Sequence, residues 1–173
     1  MRNDPWLSDA GAVYREFAPA VLGFLRAERA REPEDLLGEV FLQVTRDLPH
    51  FRGDRDALRR WVFTIARHQL IDDYRRRARR LQPFDGVVPD IPDQPSTEEV
   101  DPELVEALAL LTDDQREVIV LRFVADLPLE AVAGITKRRI GAVKALQHRA
   151  LSALGRILTA SLDAHTGDDG PSA

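Results

Sequence analysis

Five arginines stand close together at residues 75–80, in the sequence RRRARR. In a helix, which rises about 1.5 Å per residue, they would fall within about two turns. Their positive field would attract phosphates, whose neutralisation releases counterions. Contact with a nucleic-acid backbone is one interpretation. The other is a solvated helix end whose cations complement the negative end of the helix dipole, and the spacing leaves both open.

A second polar cluster lies between residues 127 and 154, where two short apolar stripes, 129–135 and 140–154, are separated by about four residues. A helix-turn-helix has this layout and places its second helix in the major groove. Lysine and arginine suit phosphates or guanine edges, and glutamine suits adenine. A plain helical hairpin with a polar face is the alternative. The candidate DNA contacts are Arg138, Arg139, Lys144, Gln147, His148 and Arg149.

Aromatic residues form the third candidate, with Phe51 in the segment FRGD and Trp61 and Phe63 soon after it. Aromatic faces beside basic residues stack on unpaired bases, which is worth about 1–3 kcal/mol per base. The helical phase of Trp61 favours the core. Phe51 is the better candidate, because a large apolar residue in a polar loop is harder to explain as core.

The spacing of apolar residues predicts that helices carry these arginine, helix-turn-helix and aromatic candidates. Before residue 82, three apolar stripes begin at Val13, Leu36 and Leu58. Ser8 is a plausible N-cap of the first, and Pro19 should bend or divide it. After residue 103, Thr112 begins a sequence typical of a capping box. No stretch alternates as a strand does, so we predict an all-α chain of two small helical bundles.

Residues 82–103 separate these bundles, with five prolines, many acids and no helical apolar period. They predict a flexible, acidic, extended linker. The net charge of −5 divides unevenly along the chain: +3 over residues 1–80, −7 over 81–103, +2 over 104–160 and −3 over 161–173. Two mildly basic blocks therefore flank an acidic connector. We expect the tail from residue 161 to be disordered.

Composition excludes several classes of site. The chain has no cysteine, which excludes disulfides and thiolate metal sites, and its four histidines are scattered. We therefore expect no metal and no cofactor. No apolar run is long enough to span a bilayer and the start lacks a signal-peptide pattern, so we expect a cytoplasmic protein without membrane insertion.

The two blocks resemble a known family, the extracytoplasmic-function (ECF) branch of bacterial sigma-70 factors. DLLGEVFLQV from Asp35, FRGD from Phe51 and WVFTIARHQLIDDYRR from Trp61 resemble its region two. LTDDQREVIVLR from Leu111 and GAVKALQHRA from Gly141 resemble its region four. The resemblance implies region two at 1–81, a linker at 82–103, region four at 104–160 and a tail at 161–173.

The resemblance implies a non-enzymatic factor that binds core RNA polymerase and directs promoter-specific initiation of transcription. The genes it serves would form a stress or envelope-response regulon. Its polymerase contacts would be the clamp helices of the largest subunit and the flap. It also implies that an anti-sigma factor lies between the two domains. The linker would thread toward the active-site and RNA-exit channels of the polymerase, where its acidic charge would mimic nucleic acid.

The resemblance also assigns roles to residues. The clamp helices would contact Asp35, Glu39, Leu42, Gln43 and Arg46. The minus-ten element would contact Asp47, Phe51, His68, Asp72, Arg75 and Arg76, with Asp47 and Phe51 near the pocket for a flipped base. The helix after Ile140 would read the minus-thirty-five element. In this helix-turn-helix, Lys137 occupies a turn position where the family normally has glycine, so we expect a locally rebuilt turn.

Two other classes of function compete with this one. A stand-alone helix-turn-helix regulator would bind a palindromic operator tightly without polymerase. An enzyme is the weakest alternative, because the sequence shows no nucleophile–base pair, phosphate-binding glycine loop or metal cluster.

Overall fold

The computed structural model describes residues 9–80 and 102–166, and within these ranges every regular element is helical. The all-α prediction is confirmed. Residues 81–101, which hold most of the predicted linker, lie outside the described residues. The elements are α1 (Ala10–Ala27), α2 (Pro33–Asp47), a 3-10 turn (Leu48–His50), α3 (Arg55–Arg80), α4 (Pro102–Ala109), α5 (Asp113–Ile119), a π-helical segment (Val120–Val124), α6 (Leu129–Thr136) and α7 (Ile140–Thr166).

Helix α1 corrects two sequence-based expectations. Its N-cap is Asp9 and not Ser8, because the Asp9 carboxylate accepts a 2.9 Å hydrogen bond from the backbone N–H of Gly11. Pro19 does not divide the helix, which runs without interruption from Ala10 to Ala27. The apolar residues on both sides of Pro19, including Phe17 and Val21, remain buried, and their packing offsets the hydrogen bond that proline removes.

Helices α2 and α3 begin and end where local chemistry predicts. Proline at the first position of α2 needs no hydrogen-bond donor, and the acids Glu34 and Asp35 complement the positive end of the helix dipole. The helix ends at Asp47, before the 3-10 turn that contains Pro49. At the start of α3, the carboxylate of Asp54 accepts a 2.8 Å hydrogen bond from the N–H of Ala57.

In the second half of the chain the capping box at Thr112 is confirmed, with reciprocal hydrogen bonds of 3.3 Å between Thr112 and Gln115. Helix α5 then passes into the π-helical segment. Helix α7 continues to Thr166, beyond position 161, where we predicted a disordered tail. Ile157 and Leu158 extend its apolar face onto the core, which favours continued helix; residues 167–173 lie outside the described part.

The hydrophobic core joins the two halves, although the sequence predicted separate bundles. One cluster contains Phe17, Phe24 and Phe63 from the N-terminal half, residues 9–80, together with Leu121 and Ile135 from the C-terminal half, residues 102–166. A smaller cluster lies among α4, α5 and α7 alone. The C-terminal half therefore has a core of its own on one face and shares a core with the N-terminal half on another.

Candidate polymerase and nucleic-acid interfaces

One face of α2 is exposed and carries the residues predicted to bind polymerase. Asp35, Glu39 and Arg46 are exposed, Gln43 is half-buried, and the side chain of Leu42 is 71% exposed. Their spacing of three or four residues puts them on one side of the helix. This face of α2 therefore presents one large exposed apolar side chain among charged and polar neighbours.

Helix α3 holds two members of that face in place. The amide nitrogen of Gln69 donates a 2.9 Å hydrogen bond to the side-chain oxygen of Gln43. A guanidinium nitrogen of Arg76 lies 3.3 Å from a carboxylate oxygen of Glu39. Arg76, which we predicted as a minus-ten contact, is thus tied to a residue that we predicted as a polymerase contact.

The loop between α2 and α3 fixes Phe51 against Trp61. Their ring centroids are 5.2 Å apart, and the rings are tilted by 32°. Arg52 donates hydrogen bonds to the carbonyls of Pro49, at 2.9 Å, and Phe51, at 2.7 Å. Gly53 is required there, because a Cβ atom at this position would lie 2.9 Å from both Ala57 and the Phe51 ring. The loop is therefore closely packed and presents a defined aromatic pair.

A cavity of about 370 Å³ opens beside this aromatic pair. It is a shallow depression that is more open to solvent than enclosed. Both halves of the chain line it: Phe51, Arg52, Ala57, Arg60, Trp61 and Thr64 from the N-terminal half, and Gly134 and Ile135 from α6. The predicted site residue Phe51 is part of this cavity. Sequence reasoning missed Arg60 and Thr64, and it had no signal for the contribution of α6.

The arginine cluster at the end of α3 is partly neutralised by neighbouring acids. Arg75 lies 3.6 Å from Asp72, Arg76 lies 3.8 Å from Asp73, and Arg77 forms an ion pair with Asp73. His68, Asp72 and Arg75 are exposed on this helix. The segment is less strongly positive than its five arginines suggest, but it offers both signs of charge along an exposed helix face.

The turn between α6 and α7 keeps the geometry of a helix-turn-helix even though a lysine stands at its key position. Lys137 adopts the left-handed conformation, with φ 55° and ψ 37°, so the expected local rebuilding does not occur. The N–H of Arg138 donates a 3.0 Å hydrogen bond to the carbonyl of Ala133 and closes the end of α6. The fold therefore imposes the turn on a residue type that disfavours it.

Helix α7 exposes most of the predicted DNA contacts. Arg139, Lys144, His148 and Arg149 are exposed, whereas Gln147 is half-buried. Arg138 differs, because its guanidinium lies 2.6 Å from the carboxylate of Asp114 at the start of α5. The exposed set gives α7 a basic face, and Arg138 contacts the protein itself.

Ion pairs connect the two halves next to their shared core. Arg67 on α3 donates a 2.6 Å hydrogen bond through Nε to Glu117 on α5, and both side chains are only 17% exposed. A guanidinium nitrogen of Arg59 lies 3.1 Å from the carbonyl oxygen of Ala125 and 3.6 Å from the carboxylate of Asp126. Sequence reasoning missed these groups, because each looks like an ordinary charge on a helix surface.

Two titratable groups at this contact are perturbed. Burial raises the pKa of Glu28 to about 7, and the nearby guanidinium of Arg116 opposes that rise. Burial also raises the pKa of Tyr74, whose hydroxyl donates a hydrogen bond to the backbone carbonyl of Glu28. No group of acids and histidines in the described ranges has the arrangement of a metal site, and no helix there is long and apolar enough to cross a membrane.

Comparison with protein families gives two matches along the chain. The family profile "Sigma-70 region 2" matches residues 13–80, and "Sigma-70, region 4" matches residues 107–155. The first contains the exposed α2 face and the aromatic loop, and the second contains the helix-turn-helix.

Several characterised proteins are similar over most of their length. The ECF RNA polymerase sigma factor SigX of Bacillus subtilis is 35% identical over 142 residues, which cover 76% of this chain and 73% of SigX. RpoE of Cereibacter sphaeroides, also an ECF RNA polymerase sigma factor, is 33% identical over 149 residues, 82% of each chain. A solved structure of the sigma factor RpoE from Bartonella quintana, in complex with the anti-sigma factor NepR, matches with a TM-score of 0.67 and 27% identity, over 84% of this chain and 94% of that one.

Proposed function

This chain belongs to the ECF branch of the sigma-70 family, and we propose that it carries out the family's task through three separate surfaces. As a sigma factor it binds core RNA polymerase and directs promoter-specific initiation of transcription. The proposal concerns which residues make each contact. It assigns polymerase docking to α2, capture of a minus-ten base to the loop cavity, and reading of the minus-thirty-five element to α7.

The α2 face docks on the clamp helices of the largest polymerase subunit, with Asp35, Glu39, Leu42, Gln43 and Arg46 in contact. Leu42 is the anchor, because its exposed apolar side chain gains most from burial at an interface. The surrounding charges set orientation and on-rate more than affinity. Since Gln69 and Arg76 hold Gln43 and Glu39, the face is ordered before docking.

The loop cavity is the observation that carries the assignment to minus-ten recognition. A base extruded from the duplex would stack on Phe51, which contributes about 1–3 kcal/mol and offsets the cost of unpairing. Asp47 stands near this loop at the end of α2. The exposed residues of α3, His68, Asp72 and Arg75, face the upstream edge of the melted DNA, and Arg76 contributes less because it is already paired.

The exposed face of α7 reads duplex DNA at the minus-thirty-five element. Lys144, His148 and Arg149 lie on this face, Arg139 directly precedes the helix, and Gln147 stands at the edge of the face. We assign Arg138 a weaker role in DNA binding, because its ion pair with Asp114 would have to break first. Each half is small and only mildly basic, so each alone should bind DNA weakly, and the polymerase supplies the spacing that makes joint binding selective.

The proposal extends to partners and location. The Bartonella quintana relative was solved with the anti-sigma factor NepR, and we propose that a protein of that kind also controls this chain. We further propose region two at 1–81, a flexible acidic linker at 82–103, region four from 104 to 160, and a docking contact with the polymerase flap. The chain acts in the cytoplasm, without catalysis of its own, on a stress or envelope-response regulon.

A gel-shift experiment with and without core polymerase tests the function against the stand-alone regulator. Promoter DNA, isolated by capture with the reconstituted holoenzyme, should shift only when core polymerase is present. Tight binding by the chain alone to a palindromic site would instead support the regulator, because such proteins need no polymerase.

A further inference from the structure

The turn of the helix-turn-helix is attached to helix α5 by an ion pair. A guanidinium nitrogen of Arg138, the middle one of the turn residues 137–139, donates a 2.6 Å hydrogen bond to the carboxylate of Asp114. Asp114 lies in the first turn of α5. Lys137 and Arg139 are exposed, and neither forms an ion pair with any residue that the structure describes. The Arg138 side chain therefore provides the ionic attachment of this turn to α5.

This attachment matters because the backbone of the turn is strained. Lys137 has φ 55° and ψ 37°, in the left-handed region where the Cβ atom comes too close to the following carbonyl oxygen. Its side chain is exposed, so packing does little to offset the strain. The N–H groups of Lys137 and Arg138 both donate to the carbonyl oxygen of Ala133 and fix the end of α6. The ion pair with Asp114 then holds the turn itself.

The surroundings of Arg138 favour keeping the pair intact. The side chain is 35% exposed, and its Nε atom is buried without a hydrogen-bond partner among the described residues. Moving the guanidinium away from Asp114 would leave a partly buried charge without its partner. Arg138 is therefore poorly placed to bind a phosphate, although arginine is a residue type that suits one.

The turn leads directly into the residues proposed to read duplex DNA. The N–H groups of Ala142 and Val143 donate hydrogen bonds of 2.9 and 3.1 Å to the carbonyl oxygen of Arg139, so the first turn of α7 is built on this residue. Arg139 and Lys144 are both exposed. Because Arg138 directly precedes Arg139, its backbone position sets where α7 begins and how both cations are presented.

We propose that Asp114 is a positioning residue for minus-thirty-five recognition, which holds the strained turn through Arg138, and that Arg138 links the turn to α5 and does not contact DNA. This inference rests on the duplex-reading role proposed for α7. An acidic side chain ordinarily weakens binding to a polyanion. Asp114 instead strengthens it, because it orders the cations that follow the turn.

The test compares two promoter fragments that share a premelted minus-ten region. One carries the intact minus-thirty-five element and the other a scrambled one, so the ratio of their affinities for the reconstituted holoenzyme reports duplex reading alone. Asp114→Ala should lower this ratio about threefold to fivefold, as expected for loss of a partly exposed ion pair. Affinity for the scrambled fragment should stay within about twofold of the wild-type value. The matched control is Asp113→Ala, which removes the neighbouring acid of α5 that pairs with Arg116, and it should keep the wild-type ratio.

Lys137→Gly provides a rescue that a general structural role for Asp114 would not show. Glycine adopts the left-handed conformation without strain, so the turn should depend less on Asp114. The double variant Asp114→Ala/Lys137→Gly should therefore have a ratio within about twofold of that of Lys137→Gly alone. A double variant that loses as much as Asp114→Ala does would overturn the inference, because Asp114 would then act elsewhere than at the turn.

The sign of the effect separates this role from its main competitor. If Asp114 only withholds Arg138 from DNA, Asp114→Ala should raise the ratio, and the slope of log affinity against log salt should steepen by about one. That result, or an unchanged ratio, overturns the positioning role. A wild-type holoenzyme that binds both fragments equally overturns the duplex-reading role of α7, and the inference with it.

Discussion

Glu28, at the end of α1, lies 3.9 Å from the guanidinium of Arg116 on α5, at a point where both side chains are buried. One carboxylate oxygen of Glu28 and Nε of Arg116 have no hydrogen-bond partner among the described residues. The two groups thus form a close but poorly satisfied ion pair at the contact between the halves. Burial outweighs the attraction of Arg116 and raises the pKa of Glu28 to about 7.

The contact between the halves should weaken as pH rises through about 7. Contact between the two halves buries Glu28 and raises its pKa above the usual 4.5. The chain with its halves in contact therefore binds this proton more tightly than a chain whose halves are separated and whose Glu28 carboxyl group is solvated. The stabilisation of the contact by protonated Glu28 is complete below the usual pKa of 4.5 and is lost as pH rises through the raised pKa of about 7. In a Trp6→Phe background, acrylamide should therefore quench the fluorescence of Trp61 more at about pH 8 than at about pH 6.

The matched variant for this pH effect is Glu28→Gln, which keeps the shape of the side chain but cannot titrate. The charged and titratable neighbours of Glu28 are Arg116, Glu117 and Asp113 on α5, and Arg67 and Tyr74 on α3. These groups stay in place in the variant. If Glu28→Gln keeps the full pH dependence, another group is responsible and the role of Glu28 is wrong.

Leu42→Asp should reduce the affinity for core polymerase by about tenfold or more, because it puts a charge where the interface must bury an apolar anchor. The variant should fold normally, since Leu42 is 71% exposed in the free chain. Surface plasmon resonance with immobilised core enzyme gives the affinity. Leu151→Asp, at a leucine that is 45% exposed on α7, is the matched control, and an equal loss in both variants would refute a specific role for α2.

Phe51→Ala should slow promoter melting. Loss of stacking worth about 1–3 kcal/mol corresponds to a roughly 5- to 150-fold loss in open complexes. Permanganate reactivity of unpaired thymines measures the open complex on a duplex promoter. On a template with a premelted minus-ten region the variant should recover, because the cost of unpairing is removed.

Phe123→Ala is the control for this prediction, because Phe123 is also an exposed aromatic residue, 54% exposed on the π-helical segment. It should melt the promoter as the wild type does. Normal melting by Phe51→Ala would remove the loop cavity from the proposed mechanism.

Lys137→Gly should stabilise the chain. Lys137 holds the left-handed conformation at φ 55°, which costs a residue with a Cβ about 1–2 kcal/mol and costs glycine little. The greater conformational freedom of glycine in the unfolded state cancels part of this stabilisation. We therefore expect the free energy of unfolding, measured by chemical denaturation, to rise by about 1 kcal/mol. Ala145→Gly, on the exposed face of α7, should instead destabilise by about 1 kcal/mol. A less stable Lys137→Gly variant would show that lysine contributes contacts that outweigh its strain.

Local structure followed from the sequence wherever short-range chemistry decides it. The capping box at Thr112 was predicted because the residues that form it are three positions apart. Ser8 was predicted as a cap and Asp9 is the cap, since neighbouring positions both carry suitable side chains and only the final turn geometry selects one. Pro19 lies within α1 because burial on both sides outweighs its local preference.

The arrangement of the halves was not predictable from periodicity. Apolar spacing identifies which face of a helix is buried, but Ile135 can pack equally well against its own half or against the other. Arg67 and Glu117 stand 50 positions apart, and each has the pattern of a solvated charge. The assignments of Leu42, Phe51 and Lys144 to their partners stay predictions, since exposure allows a contact but does not identify it.

Single-round transcription on a fragment library of the source genome, with purified chain and core polymerase, tests the central claim most directly. The claim predicts transcripts that start at a small set of sites, that require both proteins, and that share one sequence element about 10 and another about 35 base pairs upstream, as two tethered readers would select. Transcripts that do not depend on the chain, or that share no second element, would contradict it.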